Sequence, residues 1–69
     1  MNWVSVTSSN LSAVAYEQST MTLFIRFKDG GTYAYDGVPA NVHSSLMKAS
    51  SHGSYLASHI KGTYPYRRA

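Results

Sequence analysis

Tyr33 and Tyr35, set one residue apart, and a second aromatic pair, Tyr64 and Tyr66, that runs directly into Arg67 and Arg68, are the side chains best suited to chemistry in this chain. Phenol rings offer faces on which nucleobases stack, and guanidinium groups beside them hold phosphates. Lys61 and Arg26 extend the cationic set. His59, near the end of an expected helix, is favoured in its charged form by the helix dipole and is a further candidate phosphate contact. The same rings can instead close a small core, because residues two apart on a strand share a face and tyrosine buries its ring while its hydroxyl reaches water. The sequence leaves both readings open.

Catalysis finds little support. Glu17, Asp29 and Asp36 fall at expected strand ends or turns and do not pair for acid-base work. No serine sits in a glycine-flanked nucleophile motif, and Gly30-Gly31 reads as a hairpin tip, which is no phosphate-binding loop. His43, His52 and His59 are too scattered to form a ligand-spaced pair, and there is no cysteine. The expectation is a non-enzymatic protein with no catalytic residue, no metal and no cofactor.

These side chains must be positioned by a very small scaffold. Its 69 residues allow one domain, 43% of them apolar and only 13% charged, which suits a folded chain better than a disordered one. Without disulfides its stability rests on packing or self-association, so a homo-oligomer is one expectation. No apolar run approaches the roughly 20 residues of a membrane span. The start, Met1-Asn2-Trp3-Val4-Ser5-Val6, lacks the order of a signal peptide. A soluble, cytoplasmic protein with no membrane partner is expected. The net charge is +3, and three of the six basic residues, Lys61, Arg67 and Arg68, lie in the final nine positions. Such a patch favours polyanions with a shallow salt dependence.

The pattern predicts a strand over residues 12–17, a polar break at Gln18-Ser19-Thr20, and a second strand in which Met21, Leu23, Ile25 and Phe27 alternate with Thr22, Phe24, Arg26 and Lys28. Asp29-Gly30-Gly31 turns the chain into a third strand over residues 32–36. A two-residue loop would pair Arg26 with Tyr33, and a three-residue loop would pair Ile25 with Tyr33; the second is preferred because it gathers Tyr33 and Tyr35 with Leu23, Ile25 and Phe27. Val38-Pro39 opens a helix carrying Val42, Leu46, Met47 and Ala49 and ending near Ser50. After a connector, Ser51-His52-Gly53, Ser54 caps a second helix whose Tyr55, Leu56, His59 and Ile60 share a face, and Gly62 ends it. Trp3-Val4-Ser5-Val6 adds an edge strand or arm, and the Tyr64-Pro65-Tyr66 segment runs extended along the surface. The expected fold class is α+β: a three- to four-stranded antiparallel meander followed by two helices packed on one face. Phe24, on the opposite face, is a candidate interface residue.

Ser8-Ser9-Asn10-Leu11, Val14-Ala15-Tyr16, the run from Leu23 to Gly30, Tyr33-Ala34-Tyr35, Gly37-Val38-Pro39 and Gly53-Ser54-Tyr55 together resemble the KTSC domain family, and the resemblance covers nearly the whole chain. That family takes its name from a domain at the C-terminus of some lysyl-tRNA synthetases and includes small stand-alone bacterial and phage proteins. The resemblance identifies Tyr33 and Tyr35 with its central Y-x-Y and implies one KTSC-like domain over residues 1–69. It also implies RNA binding, by association with the synthetases. The expected function is thus a small binding module for RNA or single-stranded nucleic acid that uses Arg26, Tyr33, Tyr35, His59, Lys61, Tyr64, Tyr66, Arg67 and Arg68. The alternatives are a protein-interaction module, such as a phage accessory that inhibits a host protein through Phe24, and an oligomer that sequesters a small nucleotide.

Overall fold

The computed structural model describes residues 2–69. Five strands form one antiparallel sheet in sequence order: β1 (Val4–Ser5), β2 (Leu11–Glu17), β3 (Thr22–Phe27), β4 (Thr32–Tyr35) and β5 (Tyr66–Arg68). Between β4 and β5 the chain forms α1 (Ala40–Lys48) and α2 (His52–Tyr55), which runs on as a π-helical turn, Leu56–Ile60. The α+β meander with helices on one face is therefore as expected, with a fifth strand supplied by the C-terminal segment. Among the described residues, no helix is long and apolar enough to cross a membrane.

Turn chemistry sets the register. Lys28-Asp29-Gly30 is a three-residue loop, closed by the Phe27 amide donating to the Gly31 carbonyl at 2.8 Å. Gly30 takes φ +99°, open to glycine and strained for other residues. Asp29 accepts the Gly31 amide at 3.1 Å, which fixes the tip. The consequence is the pairing of Ile25 with Tyr33 and of Leu23 with Tyr35. The tyrosines thus share the helix-covered face with Leu23, Ile25 and Phe27, as the longer loop predicts.

A bulge between Leu11 and Ala13 resets β2. Leu11 can then pair with Phe27 on the helix side while Ala13 pairs with Arg26 on the other. Leu11, Val14, Leu23, Ile25 and Tyr35 from the sheet meet Val38, Leu46, Leu56 and Ile60 from the helical segment in a single core. At about 25 cal/mol per Å² of apolar surface, burial of these side chains is the main stabilising term in a chain without disulfides.

Two local expectations are corrected. Met21 does not extend the strand alternation: it sits in the turn before β3 with φ +54° and is exposed. The second helix starts earlier than Ser54, because Ser51 is the cap and its Oγ accepts the Ser54 amide at 3.3 Å. Gly53 then lies against Asn10, whose side chain would collide with any Cβ at that position. His52, expected in a connector, binds the Leu46 carbonyl through Nδ1 at 2.9 Å and ties α2 to the end of α1.

Candidate nucleic-acid interface

The two sheet faces treat their aromatic and cationic residues differently. On the helix side, beyond the edge of α2, β4 and β5 place Tyr35 opposite Tyr66 and Tyr33 opposite Arg68. Tyr66 meets Tyr33 nearly edge-on, centroids 5.5 Å apart, and Tyr35 at a 39° tilt, centroids 5.7 Å apart. Phe27 continues the row, 5.6 Å from Tyr33. Tyr33, Tyr35 and Tyr66 line a cleft of about 340 Å³ with Lys61 and Gly62. The Lys61 ammonium stands 5.6 Å from the Phe27 ring, and the Arg68 guanidinium the same distance from Tyr33. Lys61 arrives here because the π-helical turn ends on it, its amide donating to the Leu56 carbonyl at 2.8 Å.

The three tyrosines differ in freedom. Tyr66 is 63% exposed, Tyr33 is half-buried, and Tyr35 is only 2% exposed. Burial raises the Tyr35 phenol above its usual pKa, with the neighbouring Tyr66 and Tyr33 phenols adding to the rise. It therefore remains a neutral hydroxyl at physiological pH. Within the Y-x-Y pair, then, Tyr35 is a core residue and Tyr33 presents part of its ring.

On the other face the side chains are engaged with one another. Arg26 lies over the Trp3 ring, guanidinium to ring centre 4.1 Å, and Trp3 meets Phe24 edge-on at 6.4 Å. Phe24 is flanked by Ala15 and Ala34, and Arg26 by Ala13, so the long side chains lie over a floor of buried alanines. The flank that carries Phe24 is consequently not bare: Phe24 itself is half-buried. Arg67, next to Ala34, donates to both carboxylate oxygens of Asp36, the longer contact being 2.6 Å.

Of the residues singled out from the sequence, the structure brings together Tyr33, Tyr35, Lys61, Tyr66 and Arg68. Arg26 and Arg67 point to the alanine side and are already partnered. His59 stacks on Tyr55, centroids 4.4 Å apart, and lines a separate shallow depression with Ser51, Ser54 and Ser58. Tyr64 is half-buried and packs against the core. The sequence reading missed Phe27 as the base of the Lys61 contact, Trp3 as the partner of Arg26, and Asp36 as the partner of Arg67. Only the first carried a signal, since Phe27 falls on the Leu23-Ile25 face by alternation.

A second depression, at the β1 edge, is lined by Val4, Tyr16, Glu17 and His43 among others. His43 stacks flat on Tyr16, centroids 4.5 Å and planes 8° apart, and burial lowers its pKa. The Tyr16 hydroxyl donates to the Val38 carbonyl at 2.6 Å, so this pair locks the start of α1 to the sheet. Among the described residues, no group of three His, Cys, Asp or Glu is arranged to hold a metal ion.

Comparison with known proteins places these features in a family. The chain is 38% identical over 60 residues to a lysine-tRNA ligase of Nostoc sp., covering 87% of this chain and 11% of the ligase. It is 37% identical over 60 residues, again 87% of this chain and 11% of the ligase, to the lysine-tRNA ligase of Nostoc punctiforme. The chain thus spans about a tenth of the length of these relatives. A crystal structure of a KTSC domain protein from Yersinia pestis superposes with a TM-score of 0.96 at 34% identity, covering 99% of this chain and 96% of that one. The sequence profile of the KTSC domain matches residues 7–64, and the chain belongs to the KTSC domain family.

Proposed function

We propose that this protein is a non-enzymatic binding module of the cytoplasm that takes single-stranded nucleic acid, RNA in the first instance, in the Tyr33-Tyr35-Tyr66 cleft. The observation that carries the reading is the conjunction of an exposed ring and Lys61 at one opening, with Arg68 beside Tyr33 at its margin, two cations that among the described residues form no ion pair with a carboxylate. Stacking supplies affinity at every base, about 1–3 kcal/mol each, and the cations hold the flanking phosphates. The occurrence of related sequence within lysine-tRNA ligases fits a domain that adds RNA contacts to a larger enzyme.

With Arg26 and Arg67 otherwise engaged, two cations remain for phosphates, Lys61 in the cleft and Arg68 beside Tyr33. For a single strand this implies a logarithmic salt slope of roughly −1.4, shallow for a nucleic-acid binder. Fluorescence anisotropy with labelled single-stranded RNA at low and moderate salt tests the proposal. Binding that weakens along that slope supports it, and no anisotropy change at low salt overturns it. Light scattering on the same samples shows whether a dimer or a salt-tolerant protein complex is the operative state.

A further inference from the structure

Tyr35 carries a polar atom that the fold does not use. Its ring is fixed in the core opposite Leu23 and Tyr66, and the residue is 2% exposed. Among the described residues no side-chain hydrogen bond engages its hydroxyl, yet no buried polar side-chain atom is left sealed and unpaired. The hydroxyl therefore keeps contact with solvent, and the solvent beside Tyr35 is the cleft that it lines. Buried tyrosines ordinarily spend this group on a partner, and even the half-buried Tyr16 does so on the Val38 carbonyl. Tyr35 instead presents it, on a side chain with almost no freedom to move.

The dimensions of the cleft limit what it admits. About 340 Å³ lies at the low end of small-ligand sites, which begin near 300 Å³, and suits one base better than a run of stacked bases or a duplex. Lys61, at the end of the helical segment, lines it, and Arg68, on the edge strand, stands beside its Tyr33 wall. Resting on the function proposed above, we infer that the cleft holds a single unpaired base against Tyr66 and Tyr33, and that the Tyr35 hydroxyl hydrogen-bonds the edge of that base and sets base preference. A phenol hydroxyl both donates and accepts, so it grades the four bases without excluding any. Burial and the neighbouring phenols keep it protonated, which preserves the donor at neutral pH.

The test is anisotropy on the wild-type protein and Tyr35→Phe against short homopolymers of A, C, G and U, with a length series from dinucleotide to decanucleotide of the preferred base. The wild type should rank the four bases over about a 2- to 12-fold range, the worth of one neutral hydrogen bond. Tyr35→Phe should collapse that range to the weakest value and leave the melting curve nearly unchanged. Affinity should stop rising beyond the trinucleotide once the number of registers is counted. An unchanged ranking in Tyr35→Phe, or affinity that climbs steadily with length, overturns the inference while the nucleic-acid reading stands. A wild-type protein that binds none of the homopolymers at low salt overturns both. As a check free of the variant's folding, the Tyr35 Cζ resonance of labelled wild-type protein should shift on adding the trinucleotide while that of Tyr16 does not; a stationary Tyr35 signal counts against the inference.

Discussion

The two faces of this sheet carry the same kinds of side chain and use them in opposite ways. On the alanine side, Arg26 is 4.1 Å from Trp3 and Arg67 grips Asp36, so each cation already has its partner. On the cleft side, Lys61 and Arg68 stand 5.6 Å from their rings, near the outer limit of roughly 6 Å for a cation-π contact. A guanidinium held against indole is a structural element; one at the edge of a phenol retains most of its attraction for a phosphate. Composition alone cannot separate these roles, because Arg26, Lys61 and Arg68 all lie next to aromatic residues in space.

The comparison can be broken most forcefully at Tyr35. Tyr35→Ala removes a buried ring and should cost about 3–5 kcal/mol, most of the margin of a domain this small, leaving a largely unfolded chain by circular dichroism. Tyr66→Ala removes a ring of the same chemistry that is 63% exposed, and should leave the melt nearly intact. It should lower affinity for single-stranded RNA by about 5- to 150-fold, equivalent to the loss of one stacked base. If Tyr66→Ala unfolds the protein, the division between scaffold and contact surface fails.

Trp3→Ala should destabilise by about 1–2 kcal/mol, since the ring is half-buried, and lower the melting temperature by several degrees without changing RNA affinity. An effect on affinity would show that the alanine side also takes part in binding. Lys61→Ala and Arg68→Ala should each flatten the salt slope by about 0.7, whereas Arg67→Ala should leave it unchanged and cost less than about 1 kcal/mol of stability, as exposed ion pairs do. The smallest effect concerns pH. Burial depresses the His43 pKa, so the unfolded chain takes up the proton first. The stability this represents is present above about pH 6.5, the ordinary histidine value, and is lost as pH falls below it toward the lower folded value. His43→Gln should remove that portion of the acid dependence, measured as melting temperature from neutral to mildly acidic pH.

Much of the scaffold was legible in the chain. Alternation located β3 and helical spacing located α1, because these signals are local; the glycine-containing loop left two registers open, and the gathering of the tyrosines with the apolar face favoured the one observed. The π-helical turn and β5 were not legible. Three residues as polar as Tyr66-Arg67-Arg68 carry no strand pattern of their own and become a strand only because the β4 edge accepts them. The candidate site was half legible for the same reason. Tyr33 and Tyr35 were placed by register, but the sorting of Arg67 to Asp36 and of Arg68 to the cleft follows from which face of β5 each occupies. A one-residue slip would exchange them.

That edge strand has one more consequence, for the timing of recognition. Tyr66 reaches the cleft, and Arg68 its Tyr33 wall, on a strand of three exposed residues held by main-chain links such as the Ala69 amide to the Thr32 carbonyl. A flap so lightly fastened opens on its own far more often than the whole molecule unfolds. Capture of a strand under it would slow hydrogen exchange at the amides of β5 and its neighbour while leaving the β2-β3 hairpin as it was, and release would be set by how fast the flap lifts.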